Sequence, residues 1–349
     1  MSVLVVGGLG YIGSNVSKVL LENNEDVIIL DNLSNSHIGK AKLLKDITNK
    51  PIKLYTKDLL KEKEIVQVFK ENQIESVIYA AESQAKNSKD YIRESVLMIT
   101  NLLEVMNTFS CKRLIFTSSE IYLQNLEIKE ISGTINILSD YPLNLRTLKI
   151  QETIITDFFK ENSKEKWSIG ILRLFNPSGA DSSGMLGDIN LNNNDIFTRI
   201  NRYIINKEKL ILNRSYVTSY DGTLIRDFVH IIDVSRAYLK TLELIRKSND
   251  YLTTINICSG KPTSEAQVIR LYKVISGIDI KYENETIGEK TINTVSKNEK
   301  AIQLLKFDTI VKSNMEFCNN YSQILKDFKA SEELLKKKFK KSEEEKDDE

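Results

Sequence analysis

The chain has 349 residues, 41% of them hydrophobic and 28% charged, with only 14 Gly and 4 Pro. It is long enough for one large α/β domain with a smaller lobe, and its composition excludes a disordered or collagen-like protein. Lys and Arg number 49 against 48 Asp and Glu, and a net charge of +1 argues against a nucleic-acid-coating or acidic-lipid surface.

The apolar run in MSVLVVGGLG lacks a basic n-region and a small-residue cleavage site, so it reads as a strand and not a signal peptide. Val3 to Val6 is a β-branched and leucine run of the kind found in strands buried on both faces. Gly7, Gly8, Gly10 and Gly13 then lead into a helix with Ile12, Val16, Val19 and Leu20 at helical spacing, and Val27 to Leu30 forms the next strand. Further strands are predicted at Ile52–Tyr55, Ser76–Ala80, Leu114–Thr117 and Ile169–Phe175. Helices are predicted between them at Lys61–Lys70, Tyr91–Phe109 and Leu145–Lys160. Alternating βα units of this length predict a doubly wound parallel sheet, a fold of the α/β class.

After Phe175 the rhythm changes. Residues 178–194 are rich in Gly, Asn, Asp and Ser, and mixed short elements follow to about Phe317. The expected division is residues 1–175 as a first domain, 176–330 as a smaller α/β lobe partly interleaved with it, and 331–349 as a solvated tail of Lys, Glu and Asp. No stretch approaches the roughly 20 apolar residues of a membrane span, so no membrane partner is expected. Cys111, Cys258 and Cys318 are too few and scattered for a disulfide scaffold. With His37 and His230 the only histidines, no zinc spacing exists. A reducing cytoplasm and no metal are expected.

The glycine turn carries the chemistry. At Gly7, Gly10 and Gly13, flanked by Tyr11 and Ile12, a Cβ would keep a pyrophosphate from the N–H groups at the helix N-terminus, whose dipole favours negative charge. Asp31, about 20 residues on at the end of the second strand, can accept both hydroxyls of an adenosine ribose and would repel a 2′-phosphate. NAD is therefore favoured over NADP.

The segment VVGGLGYIGSNVSKVLLENNEDVIILDNLSNS resembles the opening of the UDP-glucose 4-epimerases, which are extended short-chain dehydrogenase/reductase proteins. The resemblance resumes in WSIGILRLFNPSGA from Trp167 and in DGTLIRDFVHIIDVSRAYLKTLE from Asp221 to Glu243. It implies an NAD-binding Rossmann domain with a smaller C-terminal lobe that takes a UDP-sugar. The implied adenosine contacts are Asp31, Asn32, Asn35 and Ser36, with Asp58 and Leu59 at the adenine edge, and Ala80, Ala81 and Gln84 face the cofactor. Asn176, Asn194 and Arg226 are implied sugar-nucleotide contacts, and an Arg fork suits a pyrophosphate. Relatives often pair through a four-helix interface, for which the Tyr91–Phe109 and Leu145–Lys160 helices are the candidates.

The implied reaction is transient oxidation at sugar C4, with UDP-glucose and UDP-galactose interconverting. The family's base is the Tyr of a YxxxK motif. A free phenol titrates near pH 10, and the Lys one helical turn on lowers it. In FTSSEIY, Ser118 falls on the family's catalytic Ser, with Ser119 and Glu120 beside it. Alignment on Glu152 instead puts Asn144 at the Tyr position and Leu148 at the Lys position. Starting from Tyr141, the fourth residue on is Leu145, so no register restores the pair. Glu82 replaces a cofactor-side Gly, Gln84 a Lys, Ser95 an Asn, and Thr286-Ile287-Gly288-Glu289 lacks the Arg of the UDP clasp.

Three readings follow: an epimerase with an unconventional base, a silent protein that binds NAD or a nucleotide sugar, and a redox or dehydratase enzyme built on Ser119 and Glu120. Against them stand plainer roles, with Ser118 and Ser119 as polar strand-end residues, Arg226 and Asp227 as a structural ion pair, and His230 as a packed residue.

Overall fold

A computed structural model describes residues 1–120, 143–188, 195–214, 219–286 and 297–309. Asn194, Tyr141, Ile287 to Glu289, Cys318 and the charged run 331–349 lie outside them. In chain order the elements are β1 (Ser2–Val6), α1 (Tyr11–Glu22), β2 (Val27–Leu30), α2 (Gly39–Thr48), β3 (Lys53–Tyr55), α3 (Glu62–Lys70), β4 (Ile74–Tyr79), α4 (Ser88–Thr108), β5 (Arg113–Ser119), α5 (Leu143–Glu161) and β6 (Ser168–Leu174). They continue as β7 (Pro177–Ser178), α6 (Ile196–Asn206), β8 (Leu210–Arg214), β9 (Ile225–Asp227), β10 (Val229–His230), α7 (Ile231–Arg246), β11 (Tyr251–Ile257), β12 (Pro262–Ser264), α8 (Glu265–Ser276), β13 (Tyr282–Thr286) and α9 (Glu299–Leu305).

Two compact units emerge. The first comprises residues 1–177, 226–262 and 292–309, and the second 178–225, 263–291 and 310–349. The segment 176–330 is thus shared between the units, and the long helix α7 and the strand β11 belong to the first.

The first unit holds a seven-stranded sheet in the order β11-β6-β5-β4-β1-β2-β3, and its strand pairs are parallel. All residues of β1 and β2 are buried, which accounts for their unbroken apolar runs. Helices α3, α4 and α5 pack side by side, and their Ile65, Val68, Ile99, Leu102 and Ile155 share one core with Leu4, Val6, Ile28, Ile169 and Ile171 of the sheet. On β6, Gly170 points the opposite way to Ile169 and Ile171, and a Cβ there would stand 2.6 Å from Thr241 Cγ2 of α7. Gly170 therefore lets α7 close on the other face, and α7 packs against α1 and α9. The Arg246 fork at the end of α7 grips both Glu25 oxygens, at 2.6 and 2.7 Å, and also bonds Glu75. This clasp ties the last turn of α7 to the ends of the sheet remote from the glycine turn.

In the second unit, β8 and β13 pair in parallel. Asp195 caps α6 through the N–H groups of Phe197 and Thr198, both at 3.0 Å. Arg199 of α6 is paired with Glu265 of α8 at 2.5 Å, both side chains largely buried.

Candidate functional site

The glycine turn leaves β1 with Gly7 at φ +72°, in the left-handed region. A Cβ on Gly7 would stand 2.6 Å from the Ala80 carbonyl oxygen, and one on Gly13 would stand 2.1 Å from the Gly7 carbonyl oxygen. Turn, helix and the exit of β4 are packed backbone to backbone. The N-cap of α1 is Gly10, which has no side chain to cap the first turn, and that turn contains no acidic residue. A helix start of this kind suits an anion. Tyr11 and Ile12 begin the helix half-buried, and the Tyr11 carbonyl accepts from Asn15 Nδ2 at 2.9 Å.

Asp31 at the end of β2 is 5% exposed, and its carboxylate accepts from the Leu9 N–H at 2.9 Å. It also accepts from the Leu33 N–H at 2.9 Å and from Ser36 Oγ at 2.6 Å. The acid is thereby fixed against the glycine turn and kept as an acceptor. Asn32 donates to Asp58 at 3.4 Å, joining the ends of β2 and β3, while Asn35 is exposed. The Leu60 N–H bonds Asp58, and the Asn101 amide bonds the Leu59 carbonyl at 2.9 Å, which holds that loop in place. The Ala80 N–H donates to the Val6 carbonyl at 2.9 Å, so Ala80 and Ala81 continue β4 alongside the turn. Gln84 is exposed, and its amide donates to the Glu82 carbonyl at 3.4 Å.

A second cluster gathers at the end of β5. Ser118 is 3% exposed, and its hydroxyl has no hydrogen-bond partner among the described residues. Next to it Ser119 and Glu120 are half-buried. Glu120 Oε2 accepts from Asn176 Nδ2 at 2.6 Å, and the same amide donates to the Asp227 carbonyl at 3.1 Å. Asp227 is fully buried, and its carboxylate accepts from the Ser259 N–H at 2.8 Å, Ser259 Oγ at 2.6 Å and the Gly260 N–H at 2.8 Å. Burial pushes this carboxyl upward against those bonds. Arg226, beside it, is half-buried.

Residues 3–258 match the model of the NAD dependent epimerase/dehydratase family. The chain belongs to that family. It is 31% identical over 295 residues to the UDP-glucose 4-epimerase of Bacillus subtilis (strain 168), an alignment covering 81% of this chain and 84% of the relative. With the UDP-glucose 4-epimerase uge1 of Schizosaccharomyces pombe the identity is 30% over 331 residues, covering 91% and 92%. Among solved structures, the UDP-glucose 4-epimerase of Bifidobacterium longum in complex with NAD+ and UDP superposes with a TM-score of 0.83 at 25% identity, over 94% of this chain and 98% of that one. The fold is also that of the Stenotrophomonas maltophila UDP-glucose-4-epimerase, with a TM-score of 0.85 at 21% identity, over 95% and 99%.

Within this family member, the helix that follows β5 in the described residues, α5, carries Asn144 exposed in its first turn. Leu148, one turn on, is half-buried and packs against the core shared by α3, α4 and α5. Farther along, Gln151 donates to the Ser95 carbonyl at 2.8 Å and to the Tyr79 hydroxyl at 3.4 Å. Tyr79 is fully buried and stacked on Phe116 with ring centroids 5.2 Å apart, and burial drives its phenol far above the ordinary range. His230 is buried at the N-cap of α7, where its Nδ1 accepts from the Ile232 N–H at 3.2 Å. Among the described residues no group of three His, Cys, Asp or Glu is placed to hold a metal, and no helix is long and apolar enough to cross a membrane. The Ser259–Gly260 support of Asp227 escaped the sequence reading, because no local motif marks a bond between residues 32 positions apart.

Proposed function

We propose that this chain is a UDP-glucose 4-epimerase-like protein that binds NAD and a UDP-hexose and interconverts UDP-glucose and UDP-galactose. The observation that carries this reading is the glycine cradle, closed to any Cβ at Gly7 and Gly13 and faced by the buried Asp31, in a chain 31% identical to a UDP-glucose 4-epimerase over most of both lengths. The turn and the N-terminus of α1 fit the pyrophosphate of NAD, and Asp31 fits the adenosine ribose, with Asn32, Asn35, Ser36, Asp58 and Leu59 bordering it. When bound, the cofactor supplies a reversible hydride acceptor.

The chain's own task is to handle the proton of the sugar 4-OH. Ser118, with its buried hydroxyl, would donate to or accept from that oxygen, and Glu120 would take up and return the proton. Asn176 holds the Glu120 carboxylate in place at 2.6 Å, and Arg226 and Asn194 would contact the nucleotide. Overnight incubation of UDP-galactose with the protein and excess NAD, followed by proton NMR of the anomeric signals, tests the reading. Appearance of UDP-glucose supports it, and no conversion overturns it.

A second reading rests on α5. With Asn144 at the exposed first turn and Leu148 packed on the core, neither residue supplies a phenol or an ammonium. A catalytically silent binder of NAD or a nucleotide sugar is the function those two residues favour. Line broadening of UDP-galactose without conversion is its signature.

A further inference from the structure

The loop from β4 to α4 carries a carboxylate that the reaction above does not use. Glu82 accepts a short hydrogen bond from the hydroxyl of Tyr91, in the first turn of α4. The loop around the pair is tied down. Ser83 Oγ donates to Glu94 at 2.6 Å and accepts from the Ala85 N–H at 3.1 Å. Asn87 caps α4 by accepting from the Asp90 N–H at 2.9 Å. The Tyr91 phenol is pushed well above its ordinary range, first by burial and then by the charge of Glu82, so it stays protonated and the pair keeps one negative charge. Glu82 is itself exposed, as are Lys86 of the loop and Lys89 of α4, so salt screens all three charges, and what distinguishes Glu82 is that its carboxylate is held by the Tyr91 hydroxyl.

Strand order says which part of a dinucleotide this charge faces. Asp31 stands at the end of β2, the glycine turn follows β1, and β4 is the neighbour of β1 on the other side. A dinucleotide with its ribose on Asp31 and its pyrophosphate on the turn therefore sends its other half toward β4 and β5. The exit of β4 touches the turn, since a Cβ on Gly7 would stand 3.0 Å from the Ala81 Cα, and Glu82 is the next residue. Oxidised nicotinamide carries a positive charge, which the neutral reduced ring has lost by gaining a hydride. A fixed carboxylate attracts the first and is indifferent to the second.

We infer that the Glu82–Tyr91 pair sets the redox preference of this site, so that it holds the oxidised dinucleotide in preference to the reduced one. The inference rests on the dinucleotide reading proposed above and assigns a specificity role to two residues outside its proton chemistry.

The test compares the Kd of NAD+ by calorimetry with that of NADH by fluorescence in the full chain, with ADP-ribose as a probe lacking nicotinamide. Glu82→Gln should weaken NAD+ relative to NADH by up to about tenfold, while NADH and ADP-ribose, which share the pyrophosphate but lack the ring charge, should shift together, a change expected of one nearby charge in a partly screened site. Glu82→Lys should move the ratio further the same way. Tyr91→Phe, which keeps the charge but releases the carboxylate, should move it less. An NAD+/NADH ratio that Glu82→Gln and Glu82→Lys leave unchanged overturns the inference while the dinucleotide reading stands. A wild-type chain that binds none of the three ligands overturns both.

Discussion

Asn176 donates to Glu120 across 2.6 Å, joining the residue after β5 to the loop after β6. Its amide also reaches the Asp227 carbonyl, and its backbone sits at φ +35°, a left-handed conformation that Asn tolerates better than most residues. Position, rotamer and partner are thus set together. Asn176→Ala should lose about 1–2 kcal/mol of stability by leaving Glu120 without this donor. It should also lower UDP-galactose turnover, whereas Asn176→Gln should recover little because the longer side chain cannot keep the short bond. Urea midpoints and NMR conversion rates read both effects.

Ser118 separates stability from function. Its hydroxyl is buried without a partner among the described residues, so the fold gains nothing from it and bears its desolvation. Ser118→Ala should therefore leave the urea midpoint within about 0.5 kcal/mol of the parent or raise it. If the hydroxyl serves the sugar 4-OH, turnover should fall by about 10²-fold in the same variant. A loss of stability with unchanged turnover would make Ser118 a packing residue.

The fold was legible where burial dominates. β1 and β2 are buried throughout, and their unbroken Val, Ile and Leu runs leave no other reading. The place of β11 in the first unit carries no local signal, because its pairing with β6 joins residues about 80 positions apart. α2 left no signal because Leu44 is its only buried residue. At the site, the nearness of Asp31 to the glycine turn is legible because both belong to one βαβ unit. The bonds of Glu120 to Asn176 and of Asp227 to Ser259 depend on tertiary contact that no spacing encodes.

In the second unit, Asp221 is held at about 2. Burial alone would raise it, but hydrogen bonds from Ser264, from the Thr223 hydroxyl and N–H, and from Arg270 outweigh that. Because the folded value lies below the unfolded one, this contribution is present above about pH 4 and is lost as pH falls toward 2. Asp221→Asn should flatten the acid limb of the stability profile in that window, with urea midpoints at stepped pH as the measurement. An unchanged slope between pH 4 and 2 would show that other carboxylates dominate.

Gly13 is the glycine least able to accept a side chain, since the Cβ of alanine would stand 2.1 Å from the Gly7 carbonyl oxygen. That contact is with backbone, so no rotamer relieves it. Gly13→Ala should lower stability by about 1–3 kcal/mol, as overpacking does, and abolish measurable NAD binding by prising α1 away from the turn. Calorimetry with NAD and a thermal melt read the two losses. Gly277, which closes α8 in the left-handed region with nothing within 4 Å of an added Cβ, provides the contrast: Gly277→Ala should cost stability through backbone strain alone and leave NAD binding intact.

Asn144 and Leu148 on α5 offer the sharpest test of what this chain can do. Asn144 is exposed, so a phenol can be introduced there without displacing core atoms. Leu148 packs against the core, so Leu148→Lys alone should cost about 1–2 kcal/mol through lost burial, with its ammonium reaching solvent along the flexible stem. The double change Asn144→Tyr with Leu148→Lys places a phenol and a cation one helical turn apart, and the cation should draw the phenol below its ordinary range. Turnover of UDP-galactose should rise by at least about 10²-fold over the parent, in either an impaired epimerase or a silent binder. The gain should follow pH, appearing as the new phenol ionises and vanishing in Asn144→Phe with Leu148→Lys. A rate unmoved by the double change, in a protein that still binds NAD, would mean that α5 does not present these two positions to the sugar.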